Sequence, residues 1–181
     1  MKKISSRISI FALIIGSFLS FSVNAAENPT IATINIDRIS KEAKVVKNIA
    51  KQISAKRDKF QKGITKQEKK LEKEKDKLEA KKNVLSESAL KKEQLKFFKK
   101  VEKLKKDATK KDKLLKKAYT TSIKKVNDIV GEVVNDIAKK RGLLVVLPSS
   151  QVVFSVKGID ITSQVVVKLD KKISKMKVKF K

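Results

Sequence analysis

The chain has 181 residues and a formal net charge of +27, and it contains no cysteine and no histidine. Those absences exclude disulfides, thiol chemistry, imidazole catalysis and almost every zinc or haem site. With 5 Gly, 2 Pro, 40% hydrophobic and 36% charged residues, the composition is typical of neither a linker, a membrane channel nor a disordered chain. So basic a chain attracts anions such as nucleic acid, lipid headgroups or acidic proteins, although lysine-rich composition alone also explains part of the charge.

The first 25 residues have the three parts of a secretory signal peptide. A positive region precedes an apolar run over residues 8–23, and small residues follow it. We predict cleavage between Ala25 and Ala26. An uncleaved anchor is the alternative, but a run of about 16 residues is short for a span of about 20. Cleavage removes Lys2, Lys3 and Arg7, which leaves a periplasmic chain of net charge +24.

Residues 30–36 (TIATINI) alternate apolar and polar positions with β-branched residues, which predicts a short, half-buried strand. Asp37 and Ser40 are plausible helix caps, and the period of the apolar residues changes from Lys41 onwards.

Residues 46–141 predict two long helices that form an antiparallel hairpin, joined by a serine turn at residues 86–88. Helices of roughly 45 and 52 residues would reach about 65–75 Å. Arg141 and Gly142 end the second helix. The first seam is predicted at Val46, Ala50, Ile53, Arg57, Phe60, Ile64, Gln67, Leu71, Glu74, Leu78, Lys81 and Leu85. The second is predicted at Leu90, Gln94, Phe97, Val101, Leu104, Ala108, Lys111, Leu115, Tyr119, Ile123, Val126, Val130, Val133 and Ile137.

After the hairpin, residues 143–147 (LLVVL) predict a buried strand that Pro148 stops, and residues 152–156 predict another. Thr162 is predicted to cap a last helix over residues 162–176. Strands at the two chain ends are expected to pair with each other. Three short strands and one helix form a weak core for one chain, so we expect self-association.

No active site is indicated by the sequence, and we expect no enzyme activity and no cofactor. The hairpin carboxylates lie among lysines without an apolar pocket to shift a pKa. Their expected role is to support the helices through ion pairs of about 0.3 kcal/mol each. The expected pairs are Asp58–Lys62, Glu102–Lys106, Asp107–Lys111 and Asp112–Lys116.

Residues 56–125 contain 27 Lys or Arg and 11 Asp or Glu, a net charge of +16. The surface is either a solvated coiled-coil face or a cationic surface that holds an anionic partner weakly at many points. Phe98 cannot share the seam with Phe97 and is expected to flank it. Gly63 lies within a predicted helix, where glycine is unfavourable. It is either a candidate hinge or a substitution that the helix tolerates without a function. The diffuse contact candidates are Lys66, Lys70, Lys73, Lys77, Lys92, Lys96, Phe98 and Lys99.

The whole layout resembles the Skp/OmpH family of periplasmic chaperones. The opening IATINIDRI, the charged hairpin and the segment LLVVLPSSQVVFSVKGIDIT before a short helix carry the resemblance. It implies a homotrimer whose strands join in an oligomeric β-barrel and whose hairpins hang as tentacles. The implied fold class is α+β. Residues 1–25 are then the signal peptide, residues 26–45 and 142–181 a β-rich trimerisation body with a C-terminal helix, and residues 46–141 the hairpin tentacle.

The resemblance also implies a function: an ATP-independent holdase that binds unfolded outer-membrane β-barrel proteins and prevents their aggregation. Lipopolysaccharide or an anionic lipid surface is a further expected partner. The alternative is an exported histone-like protein that binds nucleic acid or other polyanions. The predicted signal peptide opposes it, and the mature chain has only five Phe and one Tyr to stack bases.

Overall fold

The computed structural model describes residues 31–181. The predicted signal peptide and its cleavage site at Ala25–Ala26 lie outside the described residues. The elements in chain order are β1 (Ile31–Ile34), α1 (Ile36–Glu42), α2 (Lys44–Ala80), α3 (Glu87–Arg141), β2 (Val145–Pro148) and α4 (Thr162–Lys172), with two 3₁₀ turns at Ser149–Gln151 and Lys157–Ile159.

The small sheet pairs β1 with β2, as predicted. β2 is not the buried strand expected over residues 143–147, since it includes Pro148, and Val145 and Leu147 are 43% and 38% exposed. β1 and β2 are parallel, with Ile31 opposite Val145 and Ile34 opposite Pro148. On the other side of β1, Thr33 forms an isolated parallel bridge with Asp160. The amide of Ile161 donates to the carbonyl of Thr33 at 3.0 Å. The sheet is therefore two-stranded within the described chain, with one extra bridge.

The predicted strand over residues 152–156 is wrong. No strand forms there, and Val153 and Phe154 are 106% and 82% exposed. The bridge that a third strand would make with β1 falls instead at Asp160. A β-branched run forms a strand only where a neighbouring strand accepts its hydrogen bonds, and this run has no such neighbour in one chain.

A short helix separates β1 from the hairpin, which the sequence did not predict. The cap of α1 is Asn35, not Asp37 or Ser40, and its side chain accepts from the amide of Arg38 at 2.8 Å. Ala43 is fully buried and extended, with φ −60° and ψ 129°, so α1 and α2 are separate helices. The amide of Lys44 then donates to Asp170 Oδ1 at 2.8 Å, which ties the start of α2 to α4.

Helices α2 and α3 form the predicted hairpin, with 37 and 55 residues rather than two nearly equal lengths. At about 1.5 Å per residue they reach roughly 55 and 80 Å. Ser86 is the N-cap of α3, although its side chain makes no capping hydrogen bond. Gly142 ends α3 with φ 65°, the left-handed conformation that glycine adopts at the least steric cost.

The seam differs from the predicted one near the base of the hairpin. On α2, Ile49 is fully buried, and Ala50 is exposed. On α3, Tyr119 is 44% exposed, and the buried positions are Ala118 and Ser122 instead. The Ser122 hydroxyl donates to the Ala118 carbonyl at 2.8 Å, so this polar group is satisfied. The buried positions then continue in steps of four residues through Ser122, Val126 and Val130.

The main core lies where the hairpin base, α1, α4 and β1 meet. Its largest fully buried side chains include Ile49, Ile137, Ile161 and Leu169. Helix α4 begins at Thr162, which is buried, and ends at Lys172, four residues before the predicted end. The Thr162 hydroxyl accepts from the Asn35 amide at 2.9 Å and binds the Asp160 carboxylate. This network fixes α4 against the end of β1.

Candidate functional site: the distal hairpin

The hairpin changes character along its length. We call residues 45–53 of α2 and 115–137 of α3 the root, and residues 54–114 the distal hairpin. The root contributes four buried residues from α2 and seven from α3. Every residue of the distal hairpin is half-buried or exposed. The distal hairpin is thus a two-helix arm that is accessible in one chain along most of its surface, with residues 173–181 covering it only near Lys56.

A thin apolar seam holds the two helices together in this arm. Ile64, Leu71 and Leu78 are half-buried, which confirms the predicted single apolar position per heptad on α2 as far as Leu78. Leu85 is also half-buried, but it lies in the connection after α2. From α3, the half-buried residues include Leu90, Phe97, Val101 and Leu104. Half-burial of each side chain stabilises the pair of helices much less than the fully buried root residues do.

All seven predicted contact lysines are exposed, and the structure brings some of them together. Lys77 and Lys96 line the same groove between the helices, a space of about 210 Å³ that also contains Leu78 and Phe97. Lys70 lines a second groove of about 330 Å³. The other predicted lysines are Lys66, Lys73, Lys92 and Lys99. The grooves are shallow and mixed, with lysine at the rim and an apolar floor.

Leu95 and Phe98 form an exposed apolar strip beside Lys99, one of these lysines. Phe98 is 64% exposed, as predicted, and packs edge-on against Phe97 with ring centroids 6.2 Å apart. Leu95 is 55% exposed and Val84 81% exposed, and neither was predicted. Leu95, Phe98 and Lys99 line one further groove of about 340 Å³. The exposure of Leu95 and Val84 could have been predicted from the sequence, because both residues are apolar and neither occupies a predicted seam position.

One ion pair links the two helices across the arm. Lys100 Nζ lies 2.6 Å from Glu74 Oε2, and the Glu74 side chain is half-buried. Glu74 occupies a predicted seam position, so here a carboxylate replaces an apolar contact. Exposed ion pairs stabilise a fold by only about 0–1 kcal/mol, so this one contributes little to holding the helices together.

Further ion pairs lie within single helices. Two of the four predicted pairs are present, Glu102–Lys106 at 2.6 Å and Asp112–Lys116 at 3.0 Å. The hydrogen bond from Lys106, with its charge, lowers the pKa of the Glu102 carboxyl. A hydrogen bond from Lys96 at 2.6 Å and its charge likewise lower the pKa of the Glu93 carboxyl. These carboxylates remain ionised at neutral pH, and the lysines still outnumber them.

Gly63, the hinge candidate, lies within the continuous helix α2 near the junction of the root and the distal hairpin. A Cβ atom added there would meet no atom within 4 Å. The space around Gly63 therefore does not require glycine, and the hinge remains a prediction about motion.

The body carries a second exposed apolar surface. It comprises the outward residues of the sheet and of the loop after β2, and Leu144, Val153 and Phe154 are each at least 80% exposed. We call this set the body face: Ile31, Leu144, Val145, Leu147, Val153, Phe154 and Val156. So many exposed apolar side chains in one small part of the chain are typical of an interaction site.

Residues 31–181 contain no group of acidic residues able to hold a metal ion. In the same residues, no helix is both long and apolar enough to cross a membrane.

Comparison with known proteins places the chain in a family. A family model described as "OmpH: Outer membrane protein (OmpH-like)" matches residues 30–169. No curated protein matches the chain. Among solved structures, an OmpH-like protein of Caulobacter crescentus CB15, described as a candidate outer membrane chaperone, superimposes with a TM-score of 0.78. It is 18% identical, and the match covers 84% of this chain and 90% of that one. The chain belongs to the OmpH-like family of outer membrane proteins.

Proposed function

We propose that the protein is an ATP-independent periplasmic holdase that binds unfolded outer-membrane β-barrel proteins and keeps them from aggregating. One observation carries the proposal: residues 54–114 form an arm without a buried residue, lined by lysines and by exposed apolar side chains. Membership of the OmpH-like family and the fold it shares with the Caulobacter protein support the same function.

The mechanism is capture through many weak contacts. The cationic arm attracts clients with net negative charge, and Phe98, Leu95 and Val84 contact their apolar segments. Such contacts are individually weak, but one bound segment raises the effective concentration of the next. Because the arm is open on all sides, release needs no nucleotide and follows from the loss of successive contacts.

The proposed assembly is a homotrimer that associates through the body face, with residues 26–45 and 142–181 as the body and residues 46–141 as the tentacle. Residues 152–156 lack a strand partner in one chain and would obtain one from a neighbouring copy, so the strands would join in a barrel. We expect Phe154→Glu to dissociate the trimer, as measured by light scattering after size exclusion. Val167→Glu, on the 55% exposed residue of α4, is the matched control.

Anionic headgroups of lipopolysaccharide or lipid are proposed as further ligands of the same lysines, because exposed ammonium groups near an apolar strip match an anionic head and its acyl chains. Binding to anionic and neutral vesicles, measured by sedimentation, tests this. Nucleic acid is the competing polyanion, and it is disfavoured because the arm offers few aromatic residues for stacking.

The decisive experiment dilutes a urea-unfolded outer-membrane β-barrel protein into buffer with the chain from Ala26 onwards. Light scattering measures aggregation, and size exclusion with light scattering measures the mass of the complex. Suppressed aggregation, with a trimer-sized carrier on one client, is the expected result. A chain that trimerises and leaves aggregation unchanged would contradict the proposal.

A further inference from the structure

The C-terminal tail, residues 173–181, lies against the base of α2 without forming a helix or strand. Its burial alternates with a period of two. Met176 and Phe180 are half-buried, Val178 is 5% exposed, and the lysines between them face solvent. This alternation is the pattern of an extended chain with one face covered. The tail also lies beyond residue 169, where the family match ends.

Side-chain amides of α2 bind the backbone of the tail. Gln52 Nε2 donates to the Met176 carbonyl at 2.7 Å, and Gln52 Oε1 accepts from the Val178 amide at 3.1 Å. Asn48 Oδ1 accepts from the Met176 amide at 3.3 Å and from Gln52 Nε2 at 2.8 Å. One glutamine thus pairs with the two backbone groups that flank Lys177, as the partner in a parallel β-ladder would. Contacts to backbone groups do not depend on the sequence of the bound segment.

The next position along the same stripe holds the aromatic end of the tail. Lys56 Nζ lies 5.1 Å from the centroid of the Phe60 ring and 5.3 Å from that of Phe180. Lys111 Nζ approaches Phe60 from α3, at 5.8 Å. A cation between two rings favours an aromatic residue at this position of the segment.

The spacing of these contacts explains why an extended segment fits. We call the stripe Asn48, Gln52, Lys56 and Phe60 the tail groove. Its members are four residues apart, which is about 6 Å along a helix at about 1.5 Å per residue. Two residues of an extended chain span about 6.6 Å. Each step of the helix therefore meets every second residue of the tail, namely 176, 178 and 180.

We infer that the tail groove is a binding site for extended segments of unfolded chains with apolar residues at alternate positions, and that residues 173–181 occupy it when no client is bound. The inference rests on the proposed holdase function. Strands of membrane β-barrels carry this alternation, with apolar side chains facing the lipid. A client segment then competes with a resident segment of the same pattern.

A covalent tether tests the exchange in the full mature chain. The protein has no cysteine, so Lys56→Cys with Phe180→Cys gives one unique pair for a short bis-maleimide. We expect the linked form to bind an unfolded β-barrel protein about tenfold more weakly than the same variant left unlinked, because the occupied groove stays closed. The matched control links Glu132→Cys to Lys172→Cys. In the native chain these two residues form an ion pair between α3 and α4, with Lys172 Nζ 2.6 Å from Glu132 Oε2, so this link leaves the tail free. Equal client affinity of the linked and unlinked forms would overturn the inference.

A peptide in trans tests the groove without any client. The probe is a fluorescein-labelled peptide of residues 173–181, and the control peptide has serine at the three inward positions 176, 178 and 180. The host is the full chain with the same three serines, whose tail no longer fills the groove. We expect the host to bind the probe at least about tenfold more tightly than the wild-type chain does. Binding of both peptides alike, or of neither by a host with a native circular dichroism spectrum, would overturn the inference.

The two proposals fail separately. If the wild-type chain holds no client but the serine host binds the probe peptide selectively, the holdase proposal is contradicted and the groove remains a peptide-binding site. A wild-type chain that holds clients regardless of the tether contradicts the groove and leaves the holdase. If the serine host does not fold, the chain with the single change Gln52→Ala replaces it. Loss of tail protection in hydrogen exchange is then expected, and retained protection would count against the groove.

Discussion

The root and the distal hairpin use the same helical pattern and differ in what surrounds it. In the root, Ile49 and Ile137 are almost completely buried because α4 and the body cover the two helices on one side. In the distal hairpin beyond the contact of the tail with Lys56, each helix packs only against the other, and Leu78 and Phe97 are only half-buried. Tertiary cover, more than periodicity, makes a helical seam rigid. The root can therefore anchor an arm that remains compliant and accessible.

The largest expected effect is the loss of stability when a substitution creates a cavity in the root. Ile49→Ala should lower the free energy of unfolding by about 2–5 kcal/mol, because the residue is fully buried and its neighbours close the space only in part. Leu78→Ala is the matched change in the distal hairpin and should cost less than about 1.5 kcal/mol. Urea unfolding followed by circular dichroism measures both. Equal losses would remove the distinction between root and arm.

The next effect concerns charge on the arm. Replacing four lysines of α2 by glutamine should weaken client binding about tenfold at low salt, or ~1.4 kcal/mol, and flatten its salt dependence. The residues are Lys66, Lys70, Lys73 and Lys77. The control makes the same four-charge change on exposed lysines of the root end and body, at Lys139, Lys140, Lys157 and Lys171. Equal weakening by both sets would show that net charge matters and the arm does not.

Gly63 tests whether the junction of root and arm moves. Gly63→Ala should stabilise α2 by about 0.5–1 kcal/mol, because alanine favours the helix and its Cβ meets no neighbour. If Gly63 is a hinge, client binding should fall at the same time. Gly131→Ala is the control, since Gly131 lies within α3 in the root and also has no atom within 4 Å of an added Cβ. Stabilisation by both changes with unaltered client binding would contradict the hinge.

The ion pair across the arm should matter less. Glu74→Gln removes the partner of Lys100 and should cost no more than about 1 kcal/mol, a loss that vanishes at high salt. Double-mutant cycles with Lys100→Gln measure the coupling between the two residues. A coupling of several kcal/mol would contradict the view of the arm as loosely held.

The smallest effect is expected from pH. The chain lacks histidine, and hydrogen bonds from lysine lower the pKa of Glu93 and of Glu102. A carboxylate with a lowered pKa stabilises the fold above its unfolded pKa and loses that contribution only as the pH falls through its folded pKa. Client binding should thus be nearly constant from about pH 8 to about pH 5.5. A steep change in that window would reveal a titrating group in the binding surface.

The turn predicted at residues 86–88 is wrong, since α2 ends at Ala80 and α3 already begins at Glu87. The sequence did predict the hairpin, the cap of α3 at Ser86, the glycine that ends α3 and the pairing of the terminal strands. These features depend on local period and on caps, which neighbouring residues determine. It missed the break at Ala43, because the acceptor for the first amide of α2 is the Asp170 carboxylate, which lies over a hundred residues away in sequence. It misplaced the seam at Tyr119, where two candidate registers differ by a single residue and tertiary packing decides between them.

The type of side chains on the candidate site could be predicted from the sequence, but their positions relative to one another could not. The exposure of the lysines and of Phe98 follows from the spacing of the seam positions along each helix. That Lys77 and Lys96 line one groove depends on the register between the two helices. The tail groove was not predicted, because no pattern in residues 173–181 indicates that the Gln52 side chain binds their backbone. The strand predicted over residues 152–156 failed because its hydrogen-bond partner is absent from a single chain.

Hydrogen exchange of the mature chain, with and without an unfolded outer-membrane β-barrel protein, tests the central claim most directly. Without client, we expect the amides of residues 115–137 to exchange slowly and those of residues 64–104 to exchange orders of magnitude faster. Adding client should slow exchange in residues 64–104 and leave residues 115–137 unchanged. Uniform protection along the free hairpin, or client protection confined to residues 115–137, would contradict the account.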